Sequence, residues 1–238
     1  MKKALLLSSL IALTVAIAAS ADNYLVQKKH TDAFKMMGKT MPAQDEQSIM
    51  WSSNDKMCLN PDKDTVSIIR LDKKVLWVIY KKKKKYSELN LDSLAIMANS
   101  VKNEMAGLPG MDKMMNVSAT VTPTTETKQI GKWNCTKYLI SSIMPMTSVE
   151  TVSWNSTDIN VDYDAYAKMK NFASAVMPGF GEMIKEFQKI KGFPVFSESV
   201  SKVMGNELKS SEELIEISEK AAPEGIYEIP AGFKKTKD

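Results

Sequence analysis

Over most of this chain polar and apolar residues alternate with the period of a strand, and in two blocks the period lengthens to that of a helix. Thr65–Leu71 is rich in β-branched residues, Asp72-Lys73-Lys74 is polar, and Val75–Tyr80 is an unbroken apolar run. A short run of that composition predicts a strand covered on both faces rather than a helix. Tyr24–Met37 opens the sheet, Pro42–Gln47 reads as a turn, and Tyr86–Leu89 closes a meander running from Ile49 to Leu89. Val117, Ala119 and Val121 alternate with Ser118, Thr120 and Thr122, the mark of a half-exposed strand. Lys132–Ser142 and Thr147–Trp154 predict an antiparallel pair around Pro145. Phe193–Val203 and Glu207–Ser218 predict a hairpin around Gly205-Asn206. Ile226–Ile229 reads as a last short strand, followed by a loose lysine-rich tail.

The first helical block is Leu91–Met105. Leu94, Met97, Ala98, Val101 and Met105 share one face, Asn90 or Asp92 can cap it, and Gly107-Leu108-Pro109-Gly110 stops it. The second begins near Asp164, with Tyr166, Met169, Phe172, Ala173 and Val176 on one stripe. Pro178-Gly179 interrupts it, and Phe180, Met183, Ile184, Phe187 and Ile190 resume it. A sheet whose central strand is apolar on both faces needs a cover, and these helices are the expected cover. A curved sheet would leave a gap beneath them lined by Trp77, Met97, Val101, Met183 and Phe187, apolar and suited to acyl chains.

The first residues change the picture by naming a compartment. Lys2 and Lys3, the apolar stretch Ala4–Ala18 and the small residues Ala19-Ser20-Ala21 form a secretory leader, with cleavage expected before Asp22. The apolar stretch is short for a membrane span, so the mature chain is expected not to cross a bilayer. Residues 22–238 then suffice for one domain. The formal charge of +4 moves toward zero once Lys2 and Lys3 leave, which implies no strong whole-protein pull towards nucleic acid or anionic membranes and argues against nucleic acid as a partner.

Export also colours the two cysteines, Cys58 and Cys135. An even count in an exported chain favours a disulfide; two buried thiols on separate strands are the alternative. Lys81–Lys85 is the densest charge run. It reads as a solvated turn, with lipid phosphates or an acidic partner as its functional alternative. The 17 methionines fit core filling, an adaptable greasy cavity or a Cu(I) site, in that order of preference. Asp158, Asp162 and Asp164 cluster without the glycine turn of a calcium loop. His30 is the only histidine, and no nucleophile elbow or phosphate loop occurs. The expectation is no catalytic residue, no metal and no cofactor.

Six segments carry a resemblance by their order: Ser53-Asn54-Asp55-Lys56-Met57, Lys85-Tyr86-Ser87-Glu88, Ile130-Gly131-Lys132-Trp133-Asn134-Cys135-Thr136-Lys137-Tyr138, Trp154-Asn155-Ser156-Thr157-Asp158-Ile159, Gly192-Phe193-Pro194-Val195 and Ile229-Pro230-Ala231-Gly232-Phe233. The chain resembles a family of exported bacterial proteins of unknown function, related in fold to the LolA-type lipoprotein carriers. The resemblance implies an α+β fold, a curved antiparallel sheet or half-open barrel with helices on its concave face. It transfers no catalytic residue, and a fold does not fix a function. The function expected is non-enzymatic: a periplasmic or secreted cell-envelope protein that binds or carries an apolar ligand, a lipid or a lipidated partner. The alternative is a structural or protein-interaction module with a permanently packed core and an envelope protein as partner.

Overall fold

The computed structural model describes residues 22–36, 38–93, 96, 100, 117–144, 147–159, 180–203 and 205–236. The expected leader, Met97, Val101 and the helical block from Asp164 to Val176 lie outside the described residues. The strands are β1 (Asp22–Thr31), β2 (Phe34–Met36), β3 (Lys39–Met41), β4 (Gln44–Ser53), β5 (Lys56–Leu59), β6 (Thr65–Arg70), β7 (Val75–Tyr80) and β8 (Lys85–Asn90). After them come β9 (Ser118–Ile130), β10 (Trp133–Met144), β11 (Thr147–Ser156), helix α1 (Phe180–Phe187), β12 (Phe193–Val203), β13 (Asn206–Lys220) and β14 (Lys234–Lys235).

Twelve strands form one open sheet in the order β14-β8-β7-β6-β5-β4-β1-β13-β12-β11-β10-β9, and β2-β3 is a separate hairpin. The first strand sits in the middle. It pairs with β4 on one side and β13 on the other, and so joins the meander β4–β8 to the meander β9–β13. Neighbours are antiparallel except β14, which lies parallel to β8.

The two meanders bury different faces. Leu25 pairs with Met50, and Tyr24 with Trp51. Successive residues of a strand project to opposite faces. Leu25 and Met50 pack with Cys135, Trp154, Ile159, Val195 and Leu214, whereas Tyr24 and Trp51 pack with Cys58, Val66, Ile68, Trp77 and Ile79. The two cores therefore lie on opposite sides of the sheet where they meet.

The expectation that Val75–Tyr80 is covered on both faces holds for this part of the sheet. Trp77 and Ile79 are buried on one face; on the other, Met57 and Ile69, in register with Leu76, are buried too. The cover over Trp77 is not helical, however. Ala222, Ile226, Tyr227, Ile229 and Phe233, from the strap that follows β13, pack on that cluster. Ile226–Ile229, expected as a strand, is instead a turn-rich part of this strap, because its apolar side chains bury themselves against a sheet face and not in a ladder. The tail is not loose either: Lys234 and Lys235 pair with Lys85 and Tyr86. Nor is Gln44–Gln47 a turn; these polar residues extend β4 opposite Lys28–Thr31.

Of the two expected helical blocks, residues 91–93, 96 and 100 are helical, and the Ser93 N–H donates to Asn90 Oδ1 at 2.9 Å, the expected cap. Helix α1 packs on β9 at one end of the sheet. Its Glu186 accepts a hydrogen bond from the Val121 N–H at 2.9 Å, which occupies a donor of that edge strand.

Candidate functional site

The structure places the expected lining residues apart. Trp77 is buried under the strap, with its indole N–H donating to Glu88 Oε2 at 2.9 Å and Lys73 Nζ 5.3 Å from its ring centre. That bond, aided by Lys235, holds the Glu88 carboxyl below its ordinary range. Met183 is buried and Phe187 half-buried on α1, beside β9. Strand β7 stands third from one end of the order and β9 at the other, and no core cluster unites Trp77 with Met183. Met97 and Val101 lie outside the described residues.

The strap over Trp77 is fastened by Arg70, a buried cation. Its Nε and Nη2 donate to Asp72 at 2.8 and 2.7 Å, and Nη1 donates to Glu228 and to the Tyr227 carbonyl. At the strap's start, the Ala222 N–H donates to Asp22 Oδ2 at 3.2 Å. The only buried side-chain polar atom without a partner among the described residues is the Tyr227 hydroxyl, at the centre of this strap.

The expected disulfide is absent. Cys58 and Cys135 are free thiols, each buried in a different cluster, on β5 and β10 with β4, β1, β13, β12 and β11 between them. Burial pushes the Cys58 thiol up to about 11 and raises Cys135 as well, so both are poor nucleophiles at neutral pH.

The segments that carry the resemblance turn out to be packing elements. The Asn134 backbone N–H and side-chain amide both donate to Asp158 Oδ2, at 3.0 and 3.2 Å. Gly192, at φ +83°, lies against the Ser156 carbonyl, and a Cβ there would come within 2.8 Å of Thr157 N. Cys135, Trp154, Ile159 and Val195 meet in one core. Asp158 is thus a turn clamp, while Asp162 and Asp164 lie outside the described residues. Among the described residues no group of acids, histidines and cysteines has metal-ligand geometry.

An open groove of roughly 530 Å³ crosses β10, β11, β12, β13 and β1. Its geometry follows from register. Leu139, Val152, Glu198, Ser211 and His30 are successive cross-strand partners, and Glu150, Val200 and Lys209 form the next row. Rows two residues apart share a face, so Leu139, Val152 and Val200 make an apolar floor between Glu150, Glu198, Lys209 and His30. Leu139, exposed at 41%, is adjacent to Tyr138, whose hydroxyl accepts the Lys191 N–H. The groove therefore faces away from the segment following α1. Sequence reasoning missed it because its residues come from five strands; the apolar Leu139 of β10, exposed at 41%, was the available sign.

His30 marks one end of the groove. Its Nδ1 meets Asp45 at 3.0 Å and its Nε2 meets Asp32 at 3.2 Å. The Asp45 bond is the main cause of its raised pKa. Both ring nitrogens are engaged by carboxylates, which leaves neither to take a proton from Ser211 on the facing strand. His30 is held between two carboxylates at this end of the groove.

A family model described as "Domain of unknown function (DUF4412)" matches residues 34–233, from β2 to the end of the strap. The chain belongs to the DUF4412 family. No curated protein matches it. Among solved structures, one of PNGF-II is similar to this DUF4412 chain with a TM-score of 0.38 and 13% identity, over 92% of this chain. The chain spans 31% of that protein's length. A crystal structure described as a candidate outer membrane lipoprotein-sorting protein domain from Vibrio parahaemolyticus is similar with a TM-score of 0.28 and 5% identity, over 85% of this chain and 87% of that one. At those scores neither similarity transfers a fold or an activity.

Proposed function

We propose that this DUF4412 protein is a non-enzymatic binding protein of the cell envelope that takes an amphipathic ligand, a lipid or the acyl chain of a lipidated partner. The observation that carries the reading is the groove across β10–β13 and β1. Its volume lies in the range of small-molecule sites. An acyl chain would lie over Leu139, Val152 and Val200, and the polar end would meet His30, Lys209, Glu150 and Glu198. The secretory leader supports the envelope as the setting.

The test is native mass spectrometry and solvent extraction of the purified protein, followed by titration with a fluorescent long-chain fatty acid. Leu139→Glu places a charge on the exposed part of the floor and is expected to weaken the probe by at least about tenfold without changing the melting temperature much. A protein that comes out empty and ignores every apolar probe overturns the reading. The packed interaction module then takes its place, a reading favoured by the way the strap already fills the face over Trp77.

A further inference from the structure

We propose that the end of the sheet formed by β7, β8 and β14 is a docking surface for an anionic lipid bilayer. Taken by itself, the run Lys81–Lys85 is a short basic turn in a chain close to neutrality, and its electrostatic footprint is weak. The fold changes that balance. The parallel pairing of β14 with β8 brings Lys234 beside Lys85, and the Lys234 N–H donates to the Lys84 carbonyl at 3.1 Å. Two basic segments far apart in sequence thus share one edge, and all of Lys82, Lys83, Lys84, Lys85, Lys234 and Lys235 are exposed.

Local acids offset only part of this charge: Lys82 pairs with Asp64 yet stays 81% exposed, and Lys235 pairs with Glu88. Lys83 lies over the Tyr80 ring at 5.9 Å, an interaction that keeps its charge. Discouraging strand addition accounts for Lys234 and Lys235, which form the edge strand β14, but not for the turn: Lys81–Lys83 form a 3-10 turn off the ladder, closed by Lys84 in the left-handed region at φ 46°. The glutamates of β13 are matched by lysines, with Lys28 and Lys29 opposite Glu213 and Glu212, Lys202 opposite Glu207 and Lys220 paired with Glu216, whereas the turn and edge strand at this end carry a local excess of positive charge that suits a negative surface. A bilayer fits better than a single phosphate ligand, because exposed lysines spread over a turn and an edge strand converge on no one point.

Co-sedimentation with phosphatidylglycerol–phosphatidylcholine vesicles tests this, with pure phosphatidylcholine vesicles as the comparison. The protein is expected to bind only the anionic vesicles, more weakly as salt rises. Lys83→Gln with Lys84→Gln, and separately Lys234→Gln with Lys235→Gln, should each weaken binding by roughly fivefold per lysine. Equal loss from the tail pair is the decisive result, since the sequence run alone does not predict it. Binding to neutral vesicles as well, full binding by the tail variant at an unchanged melting temperature, or displacement by inorganic phosphate beyond that of chloride at equal ionic strength overturns the proposal. Leu139→Glu, which blocks the groove at an exposed position, should dock as the unaltered protein does, so failure here is distinguishable from failure of the groove.

Discussion

Asp72 is the residue through which the charge partnership of the buried Arg70 can be measured. It accepts two hydrogen bonds from Arg70, whose side chain is only 6% exposed, while Asp72 itself is 35% exposed and Glu228 51%. The Arg70 guanidinium holds the Asp72 carboxyl down at about 2, against an ordinary value of 3.8. A depression of that size corresponds to about 2.4 kcal/mol if the group were sheltered from solvent. Its exposure to water reduces this to roughly 1 kcal/mol. Because the folded-state value is depressed, this contribution is complete above about pH 4 and disappears as the pH falls through about 2. Asp72→Asn keeps the shape and removes the charge, leaving Glu228 as the charged partner of Arg70. The expected loss at pH 7 is roughly 1–2 kcal/mol, including one weakened hydrogen bond. Urea denaturation of both proteins from pH 7 to pH 2.5 measures it. Other carboxylates titrate in both proteins, so the informative quantity is the difference, which should shrink toward the acid end. A variant within about 0.3 kcal/mol of the parent at pH 7, or a difference that stays constant with pH, would refute the claim that the Arg70–Asp72 ion pair contributes to stability at neutral pH.

Three further outcomes follow from the packing. Gly192→Ala places a Cβ against the Ser156 carbonyl at positive φ and should cost at least about 2–3 kcal/mol, seen as a large fall in melting temperature; an unchanged melt would contradict the close approach. Cys58 and Cys135 should resist alkylation in the folded protein and both react in denaturant without reductant, whereas a missing thiol after oxidative export would revive the bridge. Trp77→Phe removes the donor to Glu88 and should destabilise by about 1 kcal/mol, while raising the Glu88 pKa as followed by carboxyl NMR.

The sequence determined the elements wherever a side-chain pattern reports local geometry. Thr65–Leu71, Val75–Tyr80 and the hairpin at Gly205-Asn206 became strands β6, β7, β12 and β13 within a few residues, and Asn90 caps the helix that starts beside it. The ordered segments from Ser53 to Phe233 were enough to point to a family of unknown function, because they are the turns and buried contacts that make this sheet. Strand partnership was beyond the sequence. Nothing in Asp22–Thr31 says that it must join β4 to β13, since the ladder with β13 is closed by residues contributed from the far end of the chain. Periodicity records which positions are apolar and is silent about what covers them. The apolar run Ile226–Ile229 therefore looked like a strand although it caps Trp77, and Trp77 and Met183 looked like neighbours although they sit toward opposite ends of the sheet. The compartment suggested a bridge between Cys58 and Cys135, but only the strand order could show five strands standing between them. The groove and the joined lysines arise the same way, from rows of residues that become adjacent when the sheet assembles.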